Sequence, residues 1–326
     1  MKCHAIQVHQ SGSADELKWQ EVEVGDPGPG EILIRHTAVG LNYIDVYFRT
    51  GLYPIAGYPF VPGLEGAGVV EARGVGVTEV KTGDRVAYAA PPAGAYSQAR
   101  LMPADRVVAV PDGISDDQAA AMMLKGMTTQ YLLRRVHKVV PGETILFHAA
   151  AGGVGLIACQ WAKALGATVI GTVGSDEKAE LARQHGCDHP IVYTTEDFVA
   201  RVKEITNGTG VPVVYDSVGR DTFMKSLDCL KPFGMMASFG QSSGKVDPFD
   251  PGILAAKGSL FMTRPTLMTY TASRHDLEAT AKDLFGVVGD GSVKIEINHR
   301  YPLADAAQAH RDLEGRKTTG STVLMP

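Results

Sequence analysis

Residues 144–155 read Thr144-Ile145-Leu146-Phe147-His148-Ala149-Ala150-Ala151-Gly152-Gly153-Val154-Gly155. The first five form a short apolar strand, and a glycine-rich turn follows it. The run GVGLIACQWAKALG, residues 153–166, then has the apolar spacing of a helix. The turn fits the pattern G-x-G-x-x-G, with Ala150, Gly152 and Gly155 in the three glycine places. Each place has a physical reason. A small residue at 150 permits a tight turn, a bare backbone at Gly152 admits a pyrophosphate, and Gly155 lets the helix lie close on the strand. The helix N-terminus adds unpaired N–H groups and a positive dipole end. A second apolar strand, 168–173, completes the context in which such a turn holds a dinucleotide. Ala151, Gly152, Gly153 and Val154 are therefore expected to bind the cofactor.

Strand and helix continue to alternate outward from this point: helix 176–186, strand 191–193, helix 196–206, strand 212–216 and helix 220–230, then strands 234–239 and 258–262. That alternation predicts a parallel, doubly wound sheet. Residues 1 to about 120 differ. Short segments at 5–8, 31–35, 66–71, 84–88 and 106–110 recur between Gly and Pro turns, as in a small twisted barrel. A helix begins near Ser115, and the tail reads as helix 274–286, strand 293–297, helix 303–314 and strand 322–324. The expected division is 1–122 with 268–326 against 123–267.

Composition restricts the function. With 326 residues, 44% of them hydrophobic and 21% charged, the chain suits about two ordinary α/β domains. A net charge of −5 argues against a nucleic-acid or anionic-membrane partner. The opening MKCHAIQVHQ lacks a signal-peptide apolar core, and no apolar run reaches membrane-spanning length. Cys3, Cys159, Cys187 and Cys229 form no CxxC and read as reduced thiols of a cytoplasmic protein.

Four stretches carry a family resemblance: Asn42-Tyr43-Ile44-Asp45, Pro62-Gly63-Leu64-Glu65-Gly66-Ala67-Gly68, Ala149 to Gly155, and Tyr215-Asp216-Ser217-Val218-Gly219. Through them the whole chain resembles the medium-chain dehydrogenase/reductase superfamily, and within it the quinone oxidoreductases related to zeta-crystallin. The resemblance implies an α/β chain built from a GroES-like barrel catalytic domain and a Rossmann dinucleotide-binding domain. Zinc alcohol dehydrogenases of the superfamily have metal ligands where this chain has Asn42, Leu64 and Lys125. An amide, an alkyl group and an ammonium are poor ligands, so no metal is expected.

The cofactor choice rests on the end of the second strand. NAD-binding folds place an acidic residue there, whereas this chain reads Gly171-Thr172-Val173-Gly174-Ser175. Gly174 and Ser175 leave room for a 2′-phosphate and Lys178 can reach it, which favours NADPH. The resemblance adds Tyr193 and Arg316 to that pocket, and Lys125 and Thr128 where the cofactor passes. It also adds Ser217, Phe239, Gly240, Gln241, Ser242 and Arg264 at the carboxyl ends of strands.

The chain has no GxSxG, no paired carboxylates and no Cys–His couple. A quinone suits this lack, because it accepts hydride without strong electrophilic help. By the resemblance Asn42, Asp45, Tyr47 and Tyr53 line the reaction cleft. Reduction of the activated C=C bond of an enal or enone is a second enzymatic reading. A crystallin-like or RNA-binding NADPH protein is the non-enzymatic one. The apolar strand 258–262 is expected to lie at a sheet edge and to build a homodimer with its own copy.

Overall fold

The computed structural model describes residues 1–326, and the chain forms two compact units. Unit 1 comprises 1–127, 271–289 and 295–326; unit 2 comprises 128–270 and 290–294. The division falls inside helix Asp116–Tyr131.

Unit 2 is a six-stranded sheet with all neighbours parallel. Its order is His189–Val192, Thr168–Val173, Thr144–Phe147, Val211–Asp216, Leu230–Ser238 and Phe261–Thr263. The order of filling reverses between Thr144–Phe147 and Val211–Asp216, which opens a crevice at the carboxyl ends of those two strands. Ile145, Leu146 and Phe147 are all buried, as a parallel strand covered on both faces requires. Helix Gly153–Ala164 buries Leu156, Ile157 and Trp161, each worth roughly 1.5–3 kcal/mol. It approaches closely because two glycines permit it. A Cβ at Gly155 meets the Ala149 carbonyl oxygen at 2.3 Å, and one at Gly171 meets Ala150 Cβ at 2.6 Å.

Several boundaries differ from the sequence reading. Helix 220–230 shrinks to Phe223–Leu227, and the next strand starts early, at Leu230, because Leu230 pairs with Val211 across a register shift. The edge strand 258–262 is corrected to Phe261–Thr263. Gly258 and Ser259 have φ of 110° and 56°, outside any strand conformation. Leu260 turns inward to the core, and its N–H donates to the Leu254 carbonyl at 3.0 Å.

Unit 1 is built on the strand path Ile297–Pro302, Ser321–Met325, Glu31–Leu41, Glu65–Arg73, Arg85–Ala89 and Val108–Ala109. Ala99–Pro103 also pairs with Glu31–Leu41, and Lys2–Gln7 with Lys18–Glu23 forms a hairpin. Ile6, Ile32, Ile34, Val70, Val86, Met102 and Leu324 pack together inside. The expected strand 106–110 is reduced to Val108–Ala109 by a single 3₁₀ turn at Ala104–Arg106. The expected strand 293–297 begins only at Ile297. Residues 290–294 are spent in unit 2, where Lys294 N donates to Gln160 Oε1 at 2.9 Å. A seven-residue helix, Tyr43–Arg49, was not anticipated. No helix is long and apolar enough to cross a membrane.

Candidate active site

In unit 2 the turn places Ala149 at φ 56°, a left-handed conformation unusual for alanine, and Gly152 N donates to the Ala149 carbonyl at 2.9 Å. The backbone thus reverses within four residues and aims the first N–H groups of helix Gly153–Ala164 at the crevice. His148, just before the turn, is fully buried between Thr172 Oγ1 and Ser226 Oγ, both at 2.8 Å. Burial lowers its pKa, so it stays neutral and structural.

At the end of the second strand, Tyr193 N donates to the Val173 carbonyl at 3.1 Å and brings the phenol beside Gly174. A Cβ on Gly174 stands 3.3 Å from the Tyr193 hydroxyl. Ser175 caps helix Asp176–Gln184 by accepting from Lys178 N at 3.4 Å. Gly174, Ser175, Lys178 and Tyr193 therefore lie close together at this strand end, with Tyr193 exposed and Lys178 half-buried.

Along the carboxyl edge, Phe239 N and Gly240 N reach the Asp216 carbonyl at 2.8 and 3.3 Å, and Ser242 N reaches the Ser217 carbonyl at 3.1 Å. A Cβ on Gly240 would meet that Ser217 carbonyl at 2.6 Å, so only glycine lets the two loops touch. Arg264 Nη1 donates to the Ser238 carbonyl at 3.1 Å. Sequence reasoning left Asp216 without a role. Its carboxylate accepts from Val218 N, Gly219 N and the Thr222 hydroxyl at 2.7–3.1 Å, and so folds the loop that carries Ser217.

In unit 1, Asn42 caps helix Tyr43–Arg49. Its N–H donates to Asp45 Oδ2 at 2.9 Å and its Nδ2 to Glu65 Oε2 at 2.7 Å. Lys125 Nζ reaches the same Glu65 oxygen at 3.3 Å, and Leu124 N reaches Oε1 at 2.7 Å. Glu65 and Lys125 form a buried ion pair, with side chains 0% and 6% exposed. Neither Glu65 nor its partnership was anticipated, although a glutamate set directly before the small and apolar run Gly66-Ala67-Gly68-Val69-Val70 is the signal for one.

Tyr47 and Tyr53 pack ring against ring, 5.1 Å between centroids and tilted by 56°. Tyr47 is buried and Tyr53 half-buried. Asp45 lies wholly inside, which places it behind the cleft wall and not on it. Burial raises its carboxyl to about 7 against the lowering effect of the Asn42 and Tyr96 hydrogen bonds. An apolar cavity of about 720 Å³ also lies in unit 1, lined by residues including Phe48, Ile55, Phe60, Leu64 and Pro92. Arg316, also in unit 1, is exposed in a left-handed turn, and Thr128, in unit 2, is buried.

These features define an α/β dehydrogenase made of a GroES-like unit and a dinucleotide-binding unit. Residues 28–112 match the alcohol dehydrogenase GroES-like domain and residues 153–285 the zinc-binding dehydrogenase family. The chain belongs to the quinone oxidoreductase family of the medium-chain dehydrogenases/reductases. A quinone oxidoreductase of Pseudomonas aeruginosa is 55% identical over 98% of this chain and 99% of its own. A 2-haloacrylate reductase of a Burkholderia species is 49% identical over 99% and 98%. The crystal structure of Escherichia coli quinone oxidoreductase complexed with NADPH superposes with a TM-score of 0.98, at 49% identity, over 99% of this chain and 100% of that one.

The zinc in the family description does not suit these residues. Leu64 has no lone pair to offer, while Asn42 Nδ2 and Lys125 Nζ both donate to Glu65. No group of three or more His, Cys, Asp or Glu side chains is placed to hold a metal ion.

Proposed function

We propose that this chain is an NADPH-dependent quinone reductase that works without a metal. The observation that carries the reading is full-length similarity to quinone oxidoreductases, at 55% identity in one case and, in another, to one solved with NADPH. The residues present suit that cofactor, which when bound supplies a hydride. The bare backbone at Gly152 admits a pyrophosphate to the N–H groups of Ala151, Gly153 and Val154. In unit 2, Gly174, Ser175, Lys178 and Tyr193 take the 2′-phosphate, and in unit 1 Arg316 is a cation assigned to the cofactor. In unit 2, Ser217, Phe239, Gly240, Gln241, Ser242, Arg264 and Thr128 hold the nicotinamide end; in unit 1, Asn42 and Lys125 are the polar groups assigned to the reaction.

Tyr47 and Tyr53 present an aromatic wall to a flat acceptor. The catalytic work is proximity and exclusion of water, because a quinone is already electron-poor. Steady-state oxidation of NADPH with 1,4-benzoquinone tests the reading. Turnover well above that with NADH is the expected result, and no turnover with any quinone sinks it.

The 49% identity to a 2-haloacrylate reductase favours one second reading, hydride transfer to an activated C=C bond. Both acceptors are electron-poor carbons conjugated to a carbonyl. Side-by-side kcat/KM values for a quinone and 2-chloroacrylate decide between them.

The protein is a cytoplasmic homodimer in this proposal. All four cysteines are free and buried, as suits a reducing compartment. Phe261–Thr263 is the last strand of its sheet, with Phe261 57% and Met262 38% exposed, an apolar edge that suits pairing with its own copy. Phe261→Glu puts a charge on that edge without touching the core. Sedimentation equilibrium should then show a dimer for the wild type and a monomer for the variant; a monomeric wild type at micromolar concentration removes the idea.

A further inference from the structure

A line of buried polar side chains runs through unit 1 behind Asn42. Arg49 is 1% exposed, and its Nη1 lies 3.2 Å from His310 Nδ1. His310 Nε2 lies 3.0 Å from the Tyr96 hydroxyl, which lies 3.0 Å from Asp45 Oδ2. Tyr96, His310 and Asp45 are 0% exposed. At its outer end the line is anchored by Glu314, whose carboxylate takes two hydrogen bonds from Arg49, at 2.7 and 2.9 Å.

The direction of every bond in this line follows from the chemistry of its first member. A guanidinium has donors only, so His310 Nδ1 must accept. The imidazole proton is then on Nε2 and is donated to the Tyr96 oxygen. Tyr96 has one proton left to give, and it goes to Asp45 Oδ2. Asn42 N also donates to Oδ2, so both acceptor positions of that oxygen are used. Oδ1 is buried and has no partner. When Asp45 holds a proton, Oδ1 is therefore where it sits.

We propose that Tyr96 and His310 are positioning residues for acceptor reduction: the one-way line Arg49→His310→Tyr96→Asp45 fixes the protonation of Asp45 and, through Oδ2, the backbone of Asn42. This rests on the proposed reading that Asn42 serves the reaction. Asp45 is held neutral until about pH 7, mainly by burial. The charged groups that face it are Glu65, which opposes ionisation, and Lys125, which favours it. Through Tyr96 the line adds His310, neutral down to about pH 3, then Arg49 and Glu314. Above that pH an ionised Asp45 puts a second negative charge beside Glu65, where Asn42 is held. Hydride transfer delivers negative charge to the acceptor, so turnover falls as pH rises through the Asp45 transition.

The pH dependence of kcat for NADPH-driven benzoquinone reduction tests the line. Wild type shows a falling limb near pH 7. Tyr96→Phe removes a donor to the carboxylate and moves that limb upward by about one to two pH units. Asp45→Asn, a neutral isostere, abolishes the limb. A structural role alone lowers Tm or the active fraction at all pH values and leaves the midpoint in place. Wild-type turnover with no limb, or a limb unmoved in Tyr96→Phe and still present in Asp45→Asn, overturns the proposal while the quinone reading stands. A wild type with no quinone turnover removes both.

Discussion

Replacing Glu65 by alanine should cost about 3–5 kcal/mol of stability, the largest effect of any single change in unit 1. The loss does not come from the pair as such, since Coulomb gain and desolvation nearly cancel in a buried ion pair. It comes from what is left behind. Lys125, with its side chain 6% exposed, keeps a buried ammonium that has lost the Glu65 carboxylate, and Asn42 Nδ2 and Leu124 N lose their acceptor. Glu65→Gln keeps an acceptor and most of the shape, so it should fall between wild type and alanine. Urea denaturation with CD detection measures the order. A Glu65→Ala protein as stable as wild type would mean that Lys125 leaves the interior or loses its proton without cost.

The second large effect is on cofactor choice. Lys178→Ala should reduce kcat/KM for NADPH by about 10- to 150-fold, the equivalent of roughly 1.5–3 kcal/mol for a charge-assisted hydrogen bond. NADH lacks the 2′-phosphate and should be used as before. Gly174 and Ser175 leave space at the strand end but supply no positive charge, and Asp176 and Glu177 beside them are exposed carboxylates that oppose a phosphate. The lysine must therefore outweigh two neighbours of the wrong sign. Equal losses with both cofactors would show that Lys178 only supports the helix.

The dinucleotide half was readable from sequence because its signals are local. A four-residue strand with three apolar side chains, a turn that tolerates only small side chains and a helix of matching period lie within 21 consecutive residues, Thr144 to Ala164. The barrel half was readable mainly as a rhythm of strands. Helix Tyr43–Arg49 escaped because seven residues rich in aromatic and β-branched side chains show no helical preference, and its start depends on the Asn42–Asp45 cap. The partners of Asp45 escaped for another reason. Tyr96 and His310 are 214 positions apart, and no local pattern announces such a contact. Strand 258–262 was misplaced because the whole apolar run Leu260-Phe261-Met262 was read as part of the edge strand. Leu260 belongs to the core, while Phe261 and Met262 belong to the edge.

The order in which the sheets can be completed follows from the strand path of unit 1. All six strands of unit 2 lie between residues 144 and 263 and need no strand made later. Unit 1 is different. Its long strand Glu31–Leu41, made early, receives Thr322, Val323 and Leu324 opposite Leu41, Gly40 and Val39. During synthesis this stretch keeps an open hydrogen-bonding edge while the residues between Leu41 and Thr322 are produced, including every strand of the other unit. The residue that follows Leu41 is Asn42. Strand Ser321–Met325 is thus the one that finishes the backbone leading into Asn42, and a variant cut after Gly320 would carry every residue assigned to the reaction and still lack the neighbour that holds this approach in place.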